Sequence, residues 1–86
     1  MSAKELIIKV IRNKVAMMNS VRGFVPADTM ERYRHELTGM MVCLKNIVSS
    51  DEFYCINYLD DGSFEFGYYD DSHNWWSIEG NPEGKA

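Results

Sequence analysis

The sequence predicts an α+β fold: two N-terminal helices packed on a three-stranded antiparallel β-meander, in the order ααβββ. Two apolar stripes at helical spacing occupy the chain up to Val48. Short aromatic-rich runs of strand length follow, and Asp61-Gly62, a hairpin-turn pair, separates the first two of them.

The first helix is expected from about Ser2 to Met18. Ser2 followed by Glu5 is a capping-box pattern, in which each residue satisfies a backbone N–H of the other. Leu6, Ile7, Ile8, Val10, Ile11, Val15, Met17 and Met18 fall on one arc, wider than a surface helix needs. Lys14 lands inside that arc and is expected to lie near the helix end and snorkel to water. Gly23 and Pro26 break the chain, so residues 19–27 form the connecting loop, with Phe24 and Val25 tucked beneath it. Asp28 followed by Glu31 repeats the capping pattern and starts a second helix over about Thr29–Val48. Its stripe is Met30, Tyr33, Leu37, Met40, Met41, Leu44, Ile47 and Val48, while Glu31/His35 and Arg32/Glu36 make i,i+4 pairs on the solvated side. Gly39, Val42 and Cys43 lie on the far face. With the broad arc of the first helix, they predict a homodimer interface, because a small chain gains by burying more surface.

Strands are expected at 53–59, 64–69 and 75–79. A two-residue type I′ turn at Asp61-Gly62 pairs Leu59 with Phe64 and Cys55 with Tyr68. Phe53, Cys55, Asn57, Leu59, Phe64, Phe66 and Tyr68 then face the helices, leaving Tyr54, Ile56, Tyr58, Glu65, Gly67 and Tyr69 outside. A five-residue loop over 70–74 sends Trp76 and Ile78 inward and Trp75 outward. Gly67 leaves a bare spot across which a neighbouring ring can lie. Residues 1–79 thus read as one domain, and the Gly/Pro-containing residues 80–86 as a flexible tail.

At 86 residues the chain suits a single domain. No apolar run approaches the ~20 residues of a membrane span, and no signal-peptide pattern opens the chain. Two cysteines, Cys43 and Cys55, make a poor disulfide framework and predict free thiols in a reducing cytoplasm. No His or Cys pair has structural-zinc spacing, no glycine-rich phosphate loop is present, and Asp60-Asp61 and Asp70-Asp71 are ordinary turn formers. The expectation is a non-enzyme without metal or cofactor.

Charge points to the partner. Residues 1–50 carry eight Lys/Arg against four Asp/Glu, a net +4; residues 51–86 carry one against nine, a net −8. An acidic half repels nucleic acid and attracts a basic protein. The expected function is therefore protein binding through an aromatic and acidic sheet surface: Tyr54, Tyr58, Tyr69 and Trp75 with Asp60, Asp61, Glu65, Asp70 and Asp71. In its sharper form the chain imitates nucleic acid and inhibits a basic protein, in analogy with small acidic proteins carried by phages and mobile elements. The alternative is nucleic-acid binding or transcriptional regulation through Lys4, Lys9, Arg12, Arg22, Arg32 and Arg34 of the helices and their loop.

Overall fold

The computed structural model describes residues 2–48 and 53–78. It has α1 (Ala3–Val21), α2 (Ala27–Ile47), β1 (Phe53–Tyr58), β2 (Phe64–Tyr69) and β3 (Trp75–Ser77), the expected ααβββ order. The sheet is antiparallel with β2 central. The expected tail and the end of the third strand at Glu79 lie outside the described residues.

The capping box at α1 forms in full. Glu5 N–H donates to Ser2 Oγ at 3.1 Å, and Ser2 N–H donates to Glu5 Oε1 at 3.0 Å. The helix runs on past Met18 because nothing before Gly23 breaks it; Gly23, at φ +86°, supplies the left-handed residue that ends it. Lys14 is therefore mid-helix. Instead of snorkelling off a helix end, its ammonium pairs with Glu36 on α2 and lies 4.6 Å from the centre of the Tyr33 ring. That hydrogen bond holds the Glu36 carboxyl below the ordinary carboxylate range. The second capping box does not form. Pro26, with φ already at −61°, is the N-cap, so α2 begins at Ala27 and Asp28 falls within its first turn, where its charge complements the helix dipole. Phe24 is not tucked into the core: it is 86% exposed.

The core is one cluster between the helices and one sheet face. Ile11, Val15 and Met18 from α1 and Leu37 and Leu44 from α2 meet Tyr54, Phe64, Phe66 and Ile78, with Ile56 and Tyr68 packed against them. Phe64, Phe66 and Ile78 are inward as expected, and the loop joining β2 to β3 is five residues long, since Tyr69 pairs with Trp75.

The expected register of β1 is overturned by one residue. Tyr58 pairs with Phe64, Ile56 with Phe66 and Tyr54 with Tyr68. The connection is a three-residue loop, not a two-residue one. Gly62 N–H donates to Leu59 C=O at 2.9 Å, Leu59 N–H donates to Ser63 C=O at 2.9 Å, and Gly62 sits at φ +88°. A turn followed by a left-handed glycine is the usual frame of such loops. A type I′ turn needs positive φ at Asp61 as well, and Asp61 does not adopt it. Because side chains alternate, the slip turns every β1 residue over. Tyr54, Ile56 and Tyr58 face the helices, and Phe53, Cys55 and Asn57 face away. The swap is favourable. It takes the Asn57 amide out of an apolar core, where an unpaired polar group costs on the order of 1–3 kcal/mol.

The C-terminal end of α1 locks this register. Asn19 Nδ2 donates to Phe64 C=O at 2.9 Å, and Phe64 N–H donates to Asn19 Oδ1 at 2.8 Å. Arg22 Nη1 donates to the Asp61 carbonyl at 2.7 Å.

Two substitutions test the packing. A Cβ on Gly67 would collide with the Trp76 carbonyl oxygen and stand 2.5 Å from the Trp75 ring. Gly67→Ala should therefore loosen the β2–β3 pair at a cost of about 1–3 kcal/mol. Phe66 is fully buried, and Phe66→Ala should cost about 3–5 kcal/mol. A chain of this length has only about 4–13 kcal/mol in total. Chemical denaturation should thus rank Phe66→Ala as the more damaging change, with the Gly67→Ala core still cooperative.

Candidate protein-binding face

The sheet face turned from the helices carries a row of aromatic rings. The pairings Phe53–Tyr69 and Tyr69–Trp75 place one ring on each strand in a line across the sheet. The Phe53 and Tyr69 rings stack with centroids 6.4 Å apart, and those of Tyr69 and Trp75 lie 5.0 Å apart. Cys55, Gly67 and Ser77 make the next row, and Asn57 and Glu65 the one after. Small side chains in the middle row let the Trp75 indole lie over Gly67 and donate from Nε1 to Glu65 Oε1 at 3.1 Å. The bare spot at Gly67 is thus filled by Trp75. None of the outward residues of these rows belongs to the core cluster, and no described helix packs on this face. Phe53 is more than half exposed, while Tyr69 and Trp75 are half-buried by their neighbours in the row.

The expected site residues separate accordingly. Tyr69 and Trp75 stand on the outer face. Tyr54 does not: it is 5% exposed and belongs to the core, because the register slip turned it inward. Tyr58 is also on the helix side. It lies at the open end of β1, where Arg34 Nη2 donates to its hydroxyl at 3.3 Å and the Arg34 guanidinium lies 5.3 Å from its ring centre. Phe53 takes their place outside. The signal that could have found it was Asn57, which shares its parity and is ill-suited to a core.

The acidic residues divide in the same way. Asp61 and Asp70 build the turns on which they sit. Asp61 Oδ1 accepts from Ser63 N–H at 3.0 Å and from the Ser63 hydroxyl at 2.6 Å. Asp70 Oδ1 accepts from the N–H groups of Ser72 and Asn74, each at 2.9 Å, and Asp70 Oδ2 accepts from Trp76 Nε1 at 2.9 Å. These bonds favour the charged form and hold both carboxyls below their usual range; for Asp61 the Ser63 hydroxyl leads, for Asp70 the Trp76 indole. Asp60 and Asp71 are exposed beside them, at opposite ends of the sheet, and Glu65 is held by Trp75. Gly39, Val42 and Cys43 are exposed on α2, with open space where a Gly39 Cβ would stand.

Among the described residues no three His, Cys, Asp or Glu side chains gather as metal ligands, and no helix is long and apolar enough to cross a membrane. Burial pushes the Cys55 thiol up, which keeps it protonated and weakly nucleophilic at neutral pH. No protein-family model, curated protein or solved structure matches the chain.

Asp70 gives the face a pH limit. Its folded pKa is depressed, so its contribution to stability is present above the unfolded value and is lost as pH falls through the folded one. Both ends of that window lie at or below the ordinary carboxylate range. The indole N–H resonance of Trp76 should move on acidification through that window and should not titrate in Asp70→Asn.

Proposed function

We propose that this chain is a small acidic protein-binding module, and that the outer sheet face engages a basic partner such as a nucleic-acid-binding protein, which it sequesters. The observation that carries this reading is the aromatic row Phe53–Tyr69–Trp75 on the sheet face opposite the core cluster. Large rings held rigidly by stacking offer contact area with little entropy left to lose on binding. The distribution of charge supports the sign of the partner. Among the described residues, the helices and their loop carry all of the Lys and Arg, whereas the strands and their turns carry Asp60, Asp61, Glu65, Asp70 and Asp71 and no Lys or Arg. A cationic surface would therefore be steered toward the sheet rather than the helices.

The competing reading, nucleic-acid contact through the helices, loses several of its cations to internal contacts. Arg22 is bound to the β1–β2 turn, Arg34 to Tyr58, and Arg32 lies over Tyr33. Lys9 and Arg12 remain its strongest members.

The test is capture from the native host with wild-type protein and with Tyr69→Ala, followed by titration of the captured partner. Tyr69→Ala should weaken binding by about 2 kcal/mol while leaving the fold intact. The association rate should fall with added salt. Unchanged affinity in a folded Tyr69→Ala, with loss on Lys9→Ala and Arg12→Ala, would transfer the function to the helices.

The proposal includes a homodimer through the solvent side of α2, where Val42 is 53% exposed beside Gly39 and Cys43. Val42→Asp should convert it to monomer. Wild-type protein sedimenting only at the 10.0 kDa monomer mass at micromolar concentration would retire the dimer.

A further inference from the structure

We propose that the edge of β1 at Ile56 and Tyr58, beside α2, receives an extended segment of a partner protein as a fourth strand, a binding site distinct from the aromatic face. The sheet's two sides are treated differently. On the β3 side, the third strand has only three residues, and the Asn19 side chain occupies both backbone groups of Phe64 beyond Ile78. On the other side, the six-residue β1 carries no charge, no proline and no bulge to discourage pairing, and Ile56 and Tyr58 lie on its outer edge.

The direction of its backbone follows from that of β2. Phe64 turns its N–H and C=O to Asn19, and Phe66 C=O accepts from Ile78 N–H at 2.9 Å, so these residues point away from β1. Their partners Tyr58 and Ile56 are then non-hydrogen-bonded pairs with β2, and their own N–H and C=O groups point out along the edge. No described strand lies there.

The space fits one strand. Two helices side by side span about 20 Å, and three strands at about 4.8 Å spacing span about 14 Å. The shortfall is about one strand, and it falls on the β1 side, as a groove of about 230 Å³ between α2 and β1. Leu37 and Met41 line it from α2 and Ile56 from β1. A second copy pairing β1 to β1 would bring its own α2 over the same strip, so the geometry favours a segment without a covering helix.

Charge specifies the occupant further. Arg34 stands at the Tyr58 end of the groove, and Lys45 Nζ lies 5.8 Å from the Phe53 ring centre at the other end. Arg34 also reaches Glu31 Oε1 at 3.4 Å, but a guanidinium has five donors and keeps some for a ligand. The matching segment alternates apolar and polar residues and carries a carboxylate near each end.

The probe is a synthetic peptide about seven residues long, of alternating valine and threonine with an acidic residue at each end, added to the full chain. Its binding should slow hydrogen exchange at the Ile56 and Tyr58 amides about tenfold or more. The same peptide with lysine ends should bind about tenfold more weakly at low salt. Thr38→Trp, which fills the groove mouth from an exposed helix position, should reduce affinity about tenfold with unchanged circular dichroism. Tyr69→Ala should reduce peptide affinity far less than Thr38→Trp does, which separates this site from the aromatic face. Three results would overturn the proposal: no protection at millimolar peptide, shifts confined to the outer face at Tyr69 and Trp75, or protection that appears without peptide and rises with protein concentration in a Val42→Asp background, which would make the occupant a second copy.

Discussion

Asn19 holds Phe64 by both its backbone groups, as a neighbouring strand would, and Arg22, one helical turn on, holds the carbonyl of Asp61. These contacts join the end of α1 to the start of β2 and to the turn before it. A hairpin can close with two or three residues at little difference in local energy, but the two choices present opposite faces of β1 to the core. The helix therefore helps select between them. With Phe64 fixed and Asp61 drawn toward Arg22, the chain closes through Gly62, and Tyr54 and Ile56 turn inward. The core composition, the outer aromatic row and the open edge of β1 all descend from that selection.

Much of this was legible in the residues, and the exceptions share a cause. The α1 capping box, the inner members of both helical stripes, the inward side of β2 and the five-residue loop before β3 depend on local rules, and the structure agrees with them, whereas Leu6, Val10 and Ile47 at the stripe margins are exposed. The face of β1 depends on a choice that Asp61-Gly62 leaves open, because the pair suits a type I′ turn and also the end of a three-residue loop. Asn57 was the available discriminator. Placing it outward would have brought Phe53 into the aromatic row and moved Tyr54 to the core. The other departures are similar. The helical pattern around Lys14 points to the helix end, but its partner, Glu36, lies 22 positions away on α2. Asp28 has the side chain of a cap, but Pro26 starts the helix earlier.

The candidate site was half legible for the same reason. Tyr69, Trp75 and Gly67 lie on β2 and β3, whose parity was set by sequence, and they lie together on the outer face. Tyr54 and Tyr58 lie on β1 and went with it. The acidic turns were read correctly by type, but type does not separate a carboxylate that faces solvent from one that organises its own loop. Asp70 accepts hydrogen bonds from Ser72, Asn74 and Trp76, whereas Asp71 beside it stands exposed. Adjacent identical residues thus have different work. Asp70 shapes the platform that carries the rings, and Asp60 and Asp71 contribute field.

That division also limits how the two proposed surfaces can depend on each other. The aromatic row and the β1 edge share Phe53, whose ring stacks on Tyr69 on the outer face and lies near Lys45 at the groove end. A strand added along β1 would extend the outer face by one more line of side chains beside Phe53. It would also order the backbone on which Phe53 sits. Binding at the edge would therefore enlarge and stiffen the aromatic platform, and by reciprocity a partner on the platform would favour the edge-bound strand. The coupling has a single physical carrier, the β1 backbone from Phe53 to Tyr58. It needs no change of fold, because the Asn19 and Arg22 contacts that set the register lie at the far end of the hairpin from Phe53.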